Sequence, residues 1–151
     1  MEENEYRDTY RNINPTQCLF EKSINSRRCQ CALAQRFNLA DREGVRCTVE
    51  PAQKRCAGLL QIMRSKAIFA MKITKIDGPL PHGKEIKVQI GGLLGLQKLL
   101  EHTPNADGMI QDIQSLLNHA IEKYGGIETF PYTDIVQEIV KFEGRTRKAR
   151  A

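Results

Sequence analysis

The placement of the cysteines constrains this chain of 151 residues more than any other feature of its sequence. All five lie in one window of 39 residues, and the 95 residues that follow contain none. They are Cys18, Cys29, Cys31, Cys47 and Cys56. Random placement would scatter five cysteines along the chain, so the clustering indicates a shared role for several of them.

Metal ligation is the interpretation that best accounts for this cluster. The odd number of cysteines argues against structural disulfides, and so does the acidic start of the chain, which does not resemble a secretory signal. Four thiolates are the usual complement of a structural zinc ion or of a [4Fe–4S] cluster. Free cysteines packed as small hydrophobic side chains are the simpler alternative, and Cys56 fits it because it lies on the apolar face of a predicted helix.

We predict that Cys29, Cys31, Cys47 and Cys56 bind the metal centre, with Cys18 as an alternate ligand. Their spacing matches neither the short C-x(2–4)-C pairs of zinc sites nor the cysteine runs of ferredoxins. A cluster is larger than one ion and can take ligands from an irregular stretch of chain. We therefore favour an iron–sulfur cluster over zinc.

Arginines precede three of the predicted ligands: Arg27 and Arg28 stand before Cys29, Arg46 before Cys47, and Arg55 before Cys56. A neighbouring positive charge lowers the pKa of a thiol and favours the thiolate that binds metal. The same arginines would also suit a solvated basic surface. An enzyme with a reactive cysteine would use a similar environment and is a third hypothesis.

The pattern of the whole chain predicts an α+β fold with a cysteine-rich N-terminal metal-binding section, one β-hairpin, and four to five helices packed around it. Residues 1–14 are polar and are expected to form a flexible leader, and residues 144–151 a basic tail. Between them, residues 15–143 are expected to form a single domain. Its metal-binding section covers residues 15–66, and its hairpin and helical section covers residues 67–143.

Helical periodicity is clearest in three places. After Pro51, which suits a first helical turn, one apolar stripe runs at helical spacing through Ala52, Cys56, Leu59, Leu60 and Met63. Residues 109–124 and 133–142 also hold helical register. Shorter helical segments are expected at 15–22 and 32–37, with a turn at 41–44.

Alternation of apolar and polar residues predicts two strands, at 69–74 and 86–90. The segment rich in proline and glycine at 77–83 would form the hairpin turn. Gly91, Gly92 and Gly95 then predict a tight turn from the second strand into a short helix that ends near residue 101. They match neither the dinucleotide-binding fingerprint nor a P-loop.

No apolar run approaches the ~20 residues that a membrane span requires, so we expect a cytoplasmic protein without a span. The net charge of +5 is concentrated in residues 26–64 and 141–151, which suits an acidic protein partner or nucleic acid. The sequence thus predicts a small iron–sulfur protein of the [4Fe–4S] type. It would act in electron transfer, or as a non-catalytic accessory subunit of a redox or cofactor-assembly system, with a protein as its partner. The alternative is a zinc-stabilised interaction module that binds nucleic acid through its basic surface.

Overall fold

The computed structural model describes residues 2–72, 80–101 and 109–143. Within these ranges the chain forms six α-helices and one antiparallel β-hairpin, which confirms the α+β class. The elements are α1 (Glu3–Ile13), α2 (Glu21–Asn25), β1 (Ala34–Leu39), β2 (Arg42–Cys47), α3 (Glu50–Ala70), α4 (His82–Glu101), α5 (Ile113–Tyr124) and α6 (Tyr132–Lys141). A 3₁₀ turn at Ile127–Thr129 precedes α6.

Helix α4 is at the centre of the core and packs against α2, α3, α5 and α6. Its buried apolar side chains include Val88, Ile90, Leu93 and Leu96. The β-hairpin packs through β2 against α2 and α3. In the described part of the chain, no helix combines the length and the apolar character that crossing a membrane requires.

Helix α3 confirms the apolar stripe predicted for it. All five stripe residues are buried, and the helix begins with Pro51 in its first turn. It continues to Ala70, beyond the predicted stripe. The two helices predicted near the end of the chain are α5 and α6, and α5 begins at Ile113, four residues later than predicted.

The hairpin lies in a different part of the chain from the one predicted. Residues 69–70 end α3 and residues 86–90 are inside α4, while residues 73–79 lie outside the described ranges. The observed strands instead occupy 34–47, where we expected a helical segment and a turn at 41–44. Ala40 and Asp41 connect them, with φ angles of 50° and 69°. Positive φ at both positions is typical of a type I′ turn, whose twist suits a two-residue hairpin.

The three glycines predicted to form a turn also lie inside α4. Gly91 and Gly95 face α6, and Gly92 faces the side chain of Met63 on α3. Because a glycine has no Cβ, these positions let neighbouring elements approach α4 closely. Their role is therefore packing between helices and not a change of chain direction.

The first residues form a helix instead of the expected loose leader. Helix α1 lies against the hairpin, with the Arg42 guanidinium 4.3 Å from the Tyr6 ring centre and 2.8 Å from the Glu3 carboxylate. The helix expected at 15–22 is replaced by α2, which begins at Glu21. The predicted basic tail, 144–151, lies outside the described residues.

Candidate metal centre

Four of the five cysteines line one narrow cavity, called here the cysteine cavity. They are Cys18, Cys31, Cys47 and Cys56. Apolar side chains, including Phe20 and Ile113, form much of the remaining wall. About 10 Å³ of the cavity is free to the centre of a water-sized sphere, which is roughly the space that one water molecule needs. None of the five cysteines forms a disulfide.

Backbone pairing brings Cys18 beside Cys47, although 28 residues separate them in the sequence. The segment that ends at Cys18 runs antiparallel to β2, with an isolated bridge between Gln17 and Arg46. The Cys18 amide donates to the Val45 carbonyl at 3.0 Å, and the Cys47 amide donates to the Thr16 carbonyl at 2.8 Å. This pairing fixes both cysteines at the end of β2 that leads into α3.

Cys31 is held by contacts between its loop and the start of α5. Asp112 is the N-cap of α5, and its side chain accepts from the Gln114 amide at 3.2 Å. The same carboxylate oxygen accepts from the amide of Ala32 at 3.0 Å. The first turn of α5 is therefore fixed against the Cys31 loop, and its Ile113 and Gln114 line the cysteine cavity.

Cys56 reaches the cavity from α3. This helix starts at Glu50, three residues after Cys47, so the end of β2 and the first turns of α3 share one corner of the molecule. Cys56 is 7% exposed and belongs to the buried stripe of α3. The four thiols thus come from two loops, one strand and one helix.

Polar groups as well as apolar ones adjoin the sulfurs of the cavity. The backbone of Phe20 lowers the pKa of Cys18, and the backbones of Leu33 and Gln114 lower that of Cys31. The Cys47 thiol donates to the Val49 carbonyl at 3.2 Å. The side-chain amide of Gln114 lies 3.4 Å from the sulfur of Cys56. The Arg55 guanidinium donates to the Gln114 carbonyl oxygen at 2.7 Å and so directs that amide toward the sulfur.

Burial raises the pKa of these thiols in spite of the hydrogen bonds. It raises the pKa of Cys18 to about 12, although the Phe20 backbone opposes the rise. It raises the pKa of Cys56 to about 11, against the effect of Gln114, and it also raises the pKa of Cys31. Buried thiols of raised pKa are poor nucleophiles, which argues against the hypothesis of a reactive cysteine.

The structure places Cys29, one of the predicted ligands, apart from the other four cysteines. Its side chain is fully buried in the hydrophobic core and does not line the cysteine cavity. Cys29 forms a parallel bridge with Ile110. The Gln30 amide donates to the Ile110 carbonyl, and the Ile110 amide donates to the Arg28 carbonyl, each at 3.0 Å. This pairing directs Cys29 into the core, while Cys18, the predicted alternate, takes the fourth position at the cavity.

The arginines next to the cysteines mostly have other contacts. Arg27 forms a salt bridge with Glu43, Arg28 lies over Phe142, and Arg46 lies over Phe37. The charges of Arg28 and Arg55 do lower the pKa of Cys29 and Cys56, but burial outweighs them at both cysteines. The predicted depression of thiol pKa is therefore wrong for these two residues.

Sequence reasoning missed Gln114, which contacts two of the four cysteines from 58 residues beyond Cys56. No local pattern connects α5 to the cysteines, because its first turn follows an ordinary Asp N-cap and precedes an ordinary apolar stripe. Cys18 stands just before a short helix that packs into the core through Phe20 and Ile24, and this position would have favoured it as a ligand.

Among the described residues, no group of three or more His, Cys, Asp or Glu side chains has the geometry to hold a metal ion. No family model, no curated protein and no solved structure matches the chain.

Proposed function

We propose that this chain is a small iron–sulfur protein that binds one [4Fe–4S] cluster through Cys18, Cys31, Cys47 and Cys56. It would act in electron transfer or as an accessory subunit of a redox or cofactor-assembly system. The observation that carries the proposal is the convergence of four free thiols, from four separate segments of the chain, on one apolar cavity. A [4Fe–4S] cluster requires four cysteine thiolates in such a setting.

Packing alone accounts poorly for this convergence. A buried free cysteine often serves as a small hydrophobic side chain, and Cys29 is an example in this protein. Three of the other four differ from Cys29: backbone amides lower the pKa of Cys18 and Cys31, and the Gln114 side-chain amide lies 3.4 Å from the Cys56 sulfur. The fourth, Cys47, donates to the Val49 carbonyl. A neutral thiol gains little from amide donors, whereas a thiolate bound to iron gains a charge-assisted bond.

The spacing of the cysteines in the sequence favours a cluster over zinc, because it contains none of the short C-x(2–4)-C pairs of structural zinc sites. A zinc ion draws four sulfurs to about 2.3 Å from one centre. In a cluster each cysteine binds a different iron atom, so the sulfurs stand further apart. A cluster would have to widen the narrow cavity, and outward movement of Cys18 would break the bond of its amide to the Val45 carbonyl.

A bound cluster would supply reversible one-electron chemistry, and the protein would tune its potential. The cavity wall is mostly apolar, and the hydrogen bonds to sulfur are contributed by α5 and by the loops before α2 and β1. Burial and N–H donors to sulfur are the main means by which a protein sets such a potential.

The test is metal analysis of the full-length chain purified without oxygen, with a matched pair of cysteine variants. We expect about four iron and four sulfide per chain and a brown protein with broad visible absorption. Cys18→Ala should lose most of the iron, whereas Cys29→Ala should keep it. Circular dichroism of both variants checks that the fold persists.

Three results would contradict the proposal. Absence of iron after anaerobic reconstitution would refute the proposal of a cluster. One zinc per chain would favour the alternative of a zinc-stabilised interaction module. Equal iron retention by the folded Cys18→Ala and Cys29→Ala proteins would show that the cysteine cavity is not the binding site.

A further inference from the structure

A second and larger cavity, called here the outer cleft, lies beside the cysteine cavity. It is bounded by α1, α2, and the facing sides of α3 and α4, and its volume is about 570 Å³. Sites for small molecules usually measure about 300–1,000 Å³. Cys18, Leu19 and Gln53 line both cavities, so a molecule in the outer cleft would lie against the Cys18 side of the cysteine cavity.

The first carboxylate of the outer cleft, Glu21, already has its hydrogen-bond donors. It accepts from the Val45 amide at 2.7 Å and from the Tyr10 hydroxyl. Its other oxygen accepts from the Gln17 side chain at 3.3 Å. These neutral donors occupy the oxygens of Glu21 and leave it little capacity for a ligand, but they add no positive charge.

The second carboxylate, Glu85, is also fully engaged. Its side chain is only 6% exposed, and the Arg64 guanidinium donates to it through Nε at 2.6 Å and Nη2 at 3.1 Å. Gln89 donates a further bond at 3.1 Å. Arg64 therefore neutralises Glu85, while 38% of its own side chain remains exposed.

Two more cations line the outer cleft without such compensation. Arg11 of α1 and Lys22 of α2 are exposed, and no described carboxylate lies within 4.0 Å of either. Since Arg64 is paired with Glu85, Arg11 and Lys22 set against Glu21 leave the lining with one net positive charge. A cleft of net positive charge attracts anions.

We propose that the outer cleft binds a compact small molecule that carries two or more carboxylate or phosphate groups, with Arg11 and Lys22 as its main anion contacts. Binding itself does not require the cluster. The functional meaning rests on the proposed function, because the ligand would adjoin the wall that Cys18 shares with the cysteine cavity.

The test is isothermal titration calorimetry of the full-length chain with citrate and with pyrophosphate, at constant ionic strength. Mannitol, which is uncharged, serves as the control ligand. The double variant Arg11→Ala with Lys22→Ala should weaken binding by about tenfold or more, because it removes the charge-assisted hydrogen bonds of both side chains to the anion. The two anions distinguish a carboxylate ligand from a phosphate ligand.

A matched control separates a specific site from general attraction. Arg7 lies one turn before Arg11 on α1, and Lys54 follows Gln53 on α3, but neither lines the outer cleft. Arg7→Ala with Lys54→Ala removes the same two charges and should leave affinity within about twofold, since exposed charges away from a site act weakly and are screened. Equal weakening by the two double variants, or binding of neither anion, would overturn the proposal.

Metal analysis of the same samples keeps the two proposals apart. If the chain binds citrate through Arg11 and Lys22 but holds no iron, the proposal of an anion site in the outer cleft is supported and the proposal of a cluster is refuted. If the chain holds iron but binds neither anion, the cluster stands and the outer cleft fails.

Discussion

The close approach of α4 to α6 at Gly91 yields a sharp prediction of stability. A Cβ atom added at Gly91 would lie 2.8 Å from the Ile139 Cα, 3.0 Å from the Phe142 Cβ and 3.3 Å from the Glu138 carbonyl. Two of these atoms belong to backbone that a rotamer change cannot move. Gly91→Ala therefore has to push α6 away from α4, and such overpacking costs about 1–3 kcal/mol.

Gly83→Ala is the matched control, because it makes the same chemical change in the first turn of the same helix. No atom lies within 4 Å of a Cβ added there. Both substitutions gain helix propensity, up to about 1 kcal/mol, so the difference between the two variants isolates the packing cost. We expect Gly91→Ala to be less stable than Gly83→Ala by about 1–3 kcal/mol.

Urea unfolding followed by far-ultraviolet circular dichroism measures this difference. With an m value of about 1–3 kcal/mol per molar, the midpoint of Gly91→Ala should fall by roughly 1 M relative to Gly83→Ala. Treatment of both proteins with a chelator removes any contribution of bound metal to the midpoint. If Gly91→Ala unfolds at the same urea concentration as Gly83→Ala or a higher one, α4 and α6 are not in the close contact described here.

Two further variants test contacts at the outer cleft and at the cysteine cavity. Gln89→Leu removes bonds to the Leu19 carbonyl (3.1 Å), to Glu85 (3.1 Å) and from the Ser23 hydroxyl (2.6 Å), and should lower the free energy of unfolding by about 2–3 kcal/mol in urea titrations. An unchanged midpoint would mean that these groups find other partners. Gln114→Leu removes the amide that faces Cys56 at 3.4 Å. Because N–H donors stabilise the more negative, reduced state of a cluster, the reduction potential of the reconstituted protein should fall. A differential interaction of about 1 kcal/mol corresponds to about 40 mV for one electron, and redox titration that finds no decrease would refute a role for Gln114.

Amphipathic periodicity identified the helices that have one buried face. In α3 the predicted stripe is the buried face, because the opposite side of that helix meets solvent along much of its length. The same reasoning located α5 and α6, whose buried residues recur at helical spacing. In such helices, apolar residues on the buried face and polar residues on the exposed face recur in the sequence at helical spacing.

Helix α4 was misread because it lacks that contrast. It is buried on most sides by α2, α3, α5 and α6, so its apolar residues form no stripe. The alternation at 86–90 therefore arose within a helix that packs on several faces, and three interior glycines strengthened the wrong prediction. Glycine in a helix costs about 1 kcal/mol relative to alanine, and here close packing offsets that cost.

The hairpin was missed for a local reason. Its strands, Ala34–Leu39 and Arg42–Cys47, are largely polar on the exposed face, and its turn has alanine where the left-handed region favours glycine or asparagine. The register Ala34↔Cys47 then sets Cys47 opposite the strand that follows Cys31. A prediction that lacks this hairpin also lacks the pairing that brings these two cysteines to one place.

Pairing between distant segments determines which cysteines line the candidate site, and the spacing of cysteines in the sequence does not reveal that pairing. Cys29 and Cys31 are neighbours in sequence, yet the bridge of Cys29 to Ile110 assigns it to the core, while Asp112 fixes the Cys31 loop at the cavity. Cys18 enters because its segment adds to the edge of β2. Since each thiol is positioned by a different tertiary contact, the cavity forms only when the chain folds. Any metal that binds it must therefore stabilise the folded state, and its loss must lower the unfolding temperature of the whole chain.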